Sequence, residues 1–265
     1  MKNYLIIGNP ILHSLSPKIH NYWFKENNID GNYDKIAPSK DEIEKIIQKI
    51  KRKEIYGINV TVPFKRSIIS HLETQSDIAI KTNSVNTIFN KNGKIHGDNT
   101  DVYGFEKSII NNNIELTGRS AFIFGAGGVV PSVITALLKL KIKEIFISNR
   151  TQENTKLIKN KFDFVKIIDW GKVESCDLFI NCTSVGLKSG DSLKLNFNNL
   201  GEKKIFYDLI YNPSKTNFLL EAEKKGHKII NGRDMFLYQA QQAFSLWHNL
   251  KPKIDQKLIK YLYND

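Results

Sequence analysis

The stretch Gly125-Ala126-Gly127-Gly128 restricts the fold more than any other part of this chain. An apolar run, Ser120-Ala121-Phe122-Ile123-Phe124, precedes it, and a helical pattern over 129–140 follows, with Pro131 in its first turn. Strand, tight glycine turn and helix in that order make half of a βαβ unit, in which parallel strands need a helical crossover. Further strands are expected at 145–148, 164–168, Leu178–Asn181, Ile205–Asp208 and Lys228–Ile230, with a helix starting near Thr151. Strands alternating with helices argue for an α/β fold, a parallel sheet wound on both faces.

This second unit begins near residue 101; the first hundred residues form another α/β half. Leu5-Ile6-Ile7 reads as a strand, and 17–24 as a helix with Pro17 in its first turn and Ser16 as its N-cap. Ser39 caps a second helix whose Ile43, Ile46, Ile47 and Ile50 recur at helical spacing. A strand over 55–61 follows, and then 85–89 and 94–96, joined by Asn92-Gly93 as a hairpin. The last segment, 235–263, is helical by periodicity.

Length and composition suit one large domain or two modest ones: 265 residues, 41% hydrophobic. No apolar run reaches the roughly 18 residues that cross a bilayer, and the N-terminus reads as a strand rather than a signal peptide. Cys176 and Cys182 lack metal-ligand spacing and suit a reducing cytoplasm better than a disulfide scaffold. The net charge of +12 admits either nucleic-acid attraction or a lysine-rich surface around a site for small anions. The cations are dispersed, and neither an aromatic-basic RNA motif nor a helix-turn-helix signature accompanies them.

The glycine turn has the setting of a dinucleotide fingerprint, in which the backbone approaches a pyrophosphate at a helix N-terminus. Gly125, Ala126, Gly127, Gly128, Val129 and Val130 would carry it, with Val130 where the third glycine usually stands. The acid that accepts from an NAD ribose is missing after the second strand; Asn149, Arg150 and Thr151 occupy the region. Arg150 suits a 2′-phosphate, so the expected cofactor is NADP.

Candidate catalytic groups cluster in the first half. Asn59-Val60-Thr61-Val62-Pro63-Phe64-Lys65 delivers polar side chains to one face, then stops at a proline and sets a lysine at the strand's lip. Ser14 and Ser16, two apart before a helix, could hold a carboxylate. Asn86 sits in a strand-like run, and Asp101 closes Gly97-Asp98-Asn99-Thr100-Asp101, where a helix cap is the better reading of the residue taken alone.

These segments, taken in order, resemble the shikimate dehydrogenase family from Gly8-Asn9-Pro10 nearly to the C-terminus. The matching motifs are Ser14-Leu15-Ser16-Pro17, the 59–65 stretch, Asn83-Ser84-Val85-Asn86-Thr87, Gly97 to Asp101 and Gly125 to Gly128. Asn149-Arg150-Thr151, Asn181 to Gly186, Tyr207 to Pro213 and a helical Gln239 complete them. The resemblance implies reversible NADPH-dependent reduction of 3-dehydroshikimate to shikimate, on the route to aromatic amino acids. It implies an N-terminal substrate-binding domain, 1–100 plus 236–265, and a Rossmann-like NADP-binding domain, 101–235, separated by a cleft that closes around the ligands. Ser14, Ser16 and Thr61 would bind the substrate carboxylate; Asn86, Asp101 and Gln239 would bind ring hydroxyls; Lys65 would meet the reacting oxygen, with Asp101 as its partner. Tyr211 and Gly232 would lie on the nicotinamide side. A monomer and a homodimer are both compatible with the sequence, and no metal, nucleic-acid or membrane partner is expected.

Two departures stand out. Asn154 replaces a second basic residue often found four positions after the phosphate-binding arginine, and Lys156 has a different helical phase, so a weaker NADP preference is expected. Gly232-Arg233-Asp234-Met235 replaces Gly-Leu-Gly-Met before the last helix. Competing readings are an NAD-dependent enzyme acting on quinate as well as shikimate, and a nucleotide-sensing or nucleic-acid-binding protein on the same scaffold.

Overall fold

The structure, a computed structural model, describes residues 1–188, 190–195, 197 and 200–263. The chain divides into two compact units, Met1–Gly104 together with Leu237 onward, and Phe105–Phe236. In chain order the first unit holds β1 (Lys2–Ile7), α1 (Ser16–Glu26), β2 (Gly31–Ile36), α2 (Lys40–Lys51), β3 (Gly57–Val60), β4 (Thr74–Gln75), α3 (Asp77–Thr82), β5 (Thr87–Lys91) and β6 (Lys94–Asp98). The chain changes unit within α4 (Asp101–Asn111). Then come β7 (Ser120–Phe124), α5 (Val130–Lys139), β8 (Glu144–Ser148), α6 (Gln152–Lys161), β9 (Lys166–Ile167), β10 (Leu178–Asn181), β11 (Ile205–Asp208), α7 (Asn217–Lys224) and β12 (Lys228–Ile230). It returns within α8 (Arg233–His248) and ends on α9 (Gln256–Tyr263); positions 264 and 265 of the expected 236–265 segment lie outside the described residues.

The first unit's sheet has the order β2-β1-β3-β5-β6-β4. β1 is parallel to β2 and β3, and the β3-β5-β6 side is antiparallel. Alternation splits the strands into two faces. On one face Leu5, Ile7, Ile58, Val60, Ile88 and Ile95 pack on Ile43, Ile46, Ile47 and Ile50 of α2. Each such side chain contributes about 1.5–3 kcal/mol by leaving water. The other face places Tyr33, Tyr4 and Gly57 in one row. A Cβ on Gly57 would come within 2.5 Å of the Trp247 ring, so glycine there lets the indole of α8 lie on the strands. Tyr33 stacks on His20 at 4.4 Å, and Trp23 and Phe244 close over the histidine.

The second unit's sheet is all parallel, ordered β12-β11-β10-β7-β8-β9. Read from β9 this is the doubly wound order, with a switch between β7 and β10 where such sheets bind ligands. Phe122, Phe124, Phe179, Phe206 and Phe218 fill one face of it.

The hairpin forms as expected, with Asn92 and Gly93 both at positive φ, and Glu42 accepts from the N–H and hydroxyl of Ser39 at the start of α2. Four expectations change. Ser16 is the first residue of α1 rather than its N-cap; Leu15 occupies the cap, and the Ser16 N–H donates to the Ser14 hydroxyl at 3.2 Å. The 164–168 run yields only the two-residue β9. The 235–263 segment breaks where Asn249 turns left-handed after α8 and Pro252 follows. β2 was not anticipated: Gly31-Asn32 and Asp34-Lys35 are poor strand formers, and pairing with β1 overrides them.

Candidate active site

Each unit gathers one group of the candidate residues. In the first, β3 ends at Val60 and the chain turns through a cis Val62-Pro63 bond to Lys65. Phe64 is buried in the α2-side core and anchors this turn, while its N–H donates to Thr61 O at 3.0 Å. The Lys65 carbonyl accepts from Val85 N–H at 2.9 Å, tying the lip of β3 to the segment that carries Asn86. Gly8 borders the same turn: a Cβ there would meet the Thr61 methyl at 2.2 Å.

Lys65 Nζ lies 2.5 Å from Asp101 Oδ2, with side chains only 12% and 7% exposed. The other Asp101 oxygen accepts from Asn86 Nδ2 at 2.8 Å. Asn86 donates its second N–H to the Thr100 hydroxyl at 3.0 Å, and its oxygen accepts from Thr100 N–H at 2.8 Å and the Thr87 hydroxyl at 3.0 Å. Asp101 opens α4, and its own N–H donates to Asn99 Oδ1 at 3.0 Å. Asn99 in turn donates to Thr82 Oγ1 and Ser84 O. Asp101 is thus the first residue of α4 rather than a cap before it, and it is also the partner of Lys65. A buried carboxylate against an ammonium is a charge-assisted contact of the strong kind, and breaking one partner leaves the other uncompensated.

Asp101 thus contacts both Lys65 and Asn86. Thr61 shares their turn, and Ser14 and Ser16 contact one another at the start of α1. Gln239, half-buried on α8, belongs to the same unit. Thr82, Ser84, Asn99 and Thr100 fix the Asp101 corner without having been given a role from the sequence; the last three lie in the 83–87 and 97–101 motifs, and a run of polar residues over 97–101 was the available signal.

In the second unit Gly125 follows β7 with φ +104, and its N–H donates to Ser148 O at 2.8 Å. A Cβ there would press within 3.1 Å of the Cys182 backbone, so this glycine serves the turn and its neighbour at the switch point. Gly127 and Gly128 differ: a Cβ on either would meet no protein atom within 4 Å, which leaves the backbone approachable. Val129 is the N-cap of α5, and Val130 and Pro131 begin it. Val130 is fully buried, so a packed side chain takes the place of the third glycine's close helix–strand approach.

Asn149, Arg150 and Thr151 follow β8 beside this turn; Asn149 Nδ2 donates to Thr151 O at 2.8 Å, and Arg150 is exposed. Thr151 caps α6, and Asn154 and Lys156 are both exposed on it. Two approachable glycine positions, a helix N-terminus and an exposed guanidinium fit a pyrophosphate and a 2′-phosphate. Tyr211 stacks on Phe236 at 4.8 Å. Gly232 is obligatory, because a Cβ would lie 2.0 Å from Leu209 O. At the altered turn, Asp234 accepts from Asn111 and Asn112 at 3.0 and 2.9 Å, tying the start of α8 to the end of α4.

A buried carboxylate not singled out from the sequence, Asp208, ends β11. It accepts from Asn181 Nδ2 at 3.1 Å, Thr216 Oγ1 at 2.6 Å and Ile210 N–H at 3.0 Å. Burial pushes its pKa up to about 6 against the pull of those donors.

Comparison with known proteins agrees along the whole chain. Residues 6–88 match the family model of the shikimate dehydrogenase substrate binding domain, and residues 107–187 match that of shikimate / quinate 5-dehydrogenase. Shikimate dehydrogenase (NADP(+)) of Pelagibacter ubique is 46% identical over 261 residues, 98% of each chain. The crystal structure of shikimate dehydrogenase from Aquifex aeolicus is similar with a TM-score of 0.90 and 32% identity, covering 100% of this chain and 98% of that one. Shikimate 5-dehydrogenase from Thermus thermophilus, solved in complex with NADP(H) and shikimate, matches with a TM-score of 0.90 and 29% identity, covering 100% and 99%.

Proposed function

The chain belongs to the shikimate dehydrogenase family, and on that premise we propose that it interconverts 3-dehydroshikimate and shikimate with NADP, with Lys65 and Asp101 at the reacting oxygen. The observation that carries the assignment of roles is the 2.5 Å contact between Lys65 and a nearly buried Asp101. Ser14, Ser16 and Thr61 hold the substrate carboxylate through hydroxyls and the α1 N-terminus; Asn86, Asp101 and Gln239 address its hydroxyls. Bound NADPH supplies a hydride to the ketone carbon. Gly125 to Val130 hold its pyrophosphate, Asn149, Arg150 and Thr151 its 2′-phosphate, and Tyr211 and Gly232 flank the nicotinamide side.

Hydride addition builds negative charge on the carbonyl oxygen, and an ammonium within hydrogen-bond reach stabilises that charge where it develops. Asp101 fixes the direction of the Lys65 side chain and balances its charge. In the oxidative direction the neutral amine of Lys65 accepts the substrate hydroxyl's hydrogen bond and takes its proton as the hydride leaves the carbon, which returns the ammonium. The reaction supplies the route to aromatic amino acids, and two unbridged cysteines suit a cytoplasmic setting.

Arg150 favours NADP over NAD, which separates this reading from an NAD-dependent quinate/shikimate enzyme. Following reduced-cofactor absorbance with shikimate and NADP, then NAD, tests it: turnover with NADP at clearly lower cofactor concentration is expected. Equal use of NAD and equal turnover of quinate would favour the alternative.

A further inference from the structure

Behind Asp101 lies a line of buried polar groups that crosses the first unit's sheet at right angles to its strands. Tyr33 on β2 donates its hydroxyl to Asn59 Oδ1 on β3 at 2.7 Å. Asn59 Nδ2 donates to the Thr87 hydroxyl on β5 at 3.1 Å and to Asn86 O at 3.1 Å. The Thr87 hydroxyl donates to Asn86 Oδ1 at 3.0 Å, and Asn86 Nδ2 donates to Asp101 Oδ1 at 2.8 Å. Tyr33, Asn59, Thr87, Asn86 and Asp101 are each 5% exposed or less.

The direction of every link is fixed. A carboxylate only accepts, so Asn86 presents its N–H to Asp101 and its oxygen backward. That oxygen obliges Thr87 to donate, which leaves the Thr87 oxygen to accept from Asn59 N–H, and the Asn59 oxygen to accept from Tyr33. Register supports the path: Asn59 and Thr87 are paired across β3 and β5, and Tyr33 lies beside Tyr4, which faces Gly57 two residues before Asn59. Gly57 keeps that part of the face free of a side chain of its own. The line therefore begins in the aromatic core at Tyr33 and ends on the partner of Lys65.

An apolar interior would stabilise this sheet at less risk, since any unsatisfied polar group in the chain carries its full desolvation cost. Donors aligned head to tail polarise one another and direct their combined dipole at the last acceptor. We propose that Tyr33 and Thr87 are positioning residues of the reaction, holding the Asn86 amide in the one orientation that fixes Asp101 against Lys65. This rests on the roles given to Lys65 and Asp101 above.

The test compares Tyr33→Phe and Thr87→Val, each of which deletes a hydroxyl, with Thr87→Ser, which keeps one. Tyr4→Phe serves as a control in the same aromatic core, and steady-state turnover of shikimate with NADP is the readout. Tyr33→Phe and Thr87→Val are expected to lower kcat about tenfold while KM for shikimate changes by less than about threefold, and Thr87→Ser and Tyr4→Phe to remain near the parent. If Tyr33→Phe does not fold, the Thr87 pair decides alone. Equal losses in Thr87→Val and Thr87→Ser, or a rise in KM at constant kcat, or unchanged kcat in folded Tyr33→Phe and Thr87→Val, would each overturn the proposal. An active Lys65→Ala would bring down the catalytic assignment and this inference with it. An inactive Lys65→Ala beside normal Tyr33→Phe and Thr87→Val overturns this inference alone.

Discussion

Asp101 in the first unit and Asp208 in the second are built alike and serve different ends. Each is a buried carboxylate next to a strand end, each accepts from an asparagine amide, and each is flanked by a threonine hydroxyl. The difference is a cation. Lys65 sits 2.5 Å from Asp101, whereas the donors around Asp208 are Asn181, Thr216 and the Ile210 N–H, all neutral. Those donors do not offset burial, which carries the Asp208 carboxyl up to about 6. What Asp208 does hold is backbone. Asn181 also donates to Val185 O, and its oxygen takes the Thr183 N–H and hydroxyl, so one carboxylate joins the loops after β10 and β11. The Ile210 carbonyl then accepts from Gly232 N–H. Hydrogen bonds fix geometry in both places, and only Asp101 has a cation beside it, the feature on which its proposed role at the reacting oxygen rests.

The contrast can be broken most forcefully by removing both charges in turn. Asp101→Asn is expected to lower kcat about a hundredfold, while Asp208→Asn leaves kcat within about threefold, both measured by steady-state turnover of shikimate. Equal losses would mean that the cation is not what separates the two sites. Asp208→Ala should instead appear as stability. Stranding the donors of Asn181, Thr216 and Ile210 costs about 2–3 kcal/mol in denaturant unfolding, with a smaller loss for Asp208→Asn. A third charge, exposed Arg150, acts on neither carboxylate. Arg150→Ala is expected to raise KM for NADP about tenfold and to leave KM for NAD nearly unchanged.

The smallest effect is on pH. The folded pKa of Asp208, about 6, lies above its ordinary value of 3.8. Its contribution to stability is therefore fully present below 3.8 and is lost as pH rises through about 6. His20 and His248, lowered by burial to about 3 and about 4, act oppositely, their contribution falling away as pH drops below the ordinary 6.5. Subtracting the unfolding free energy of Asp208→Asn from that of the parent between pH 4 and 7 isolates the carboxylate. A difference that does not vary with pH would show that Asp208 titrates normally.

Local chemistry made one part of this site readable in the sequence. A strand that must stop at Pro63 puts Lys65 at a sheet's lip, and a glycine turn set between an apolar strand and a helix points to a nucleotide-binding βαβ unit. Contacts between distant segments concealed the rest. Tyr33 lies in a strand with no period, and its role follows from a hydrogen bond to Asn59, 26 residues away. Asp208 reads as the tail of an apolar run until Asn181, 27 residues earlier, is found facing it. Ser16 has the look of a cap, yet Leu15 takes that place because the Ser14 hydroxyl already serves the first helical N–H.

Replacing Lys65 tests the central claim most directly. With shikimate and NADP, Lys65→Ala is expected to lower kcat by about a hundred- to a thousandfold while KM for shikimate stays within about fivefold, because the ammonium acts chiefly on charge that exists in the transition state. A folded Lys65→Ala enzyme with near-normal kcat would contradict the account.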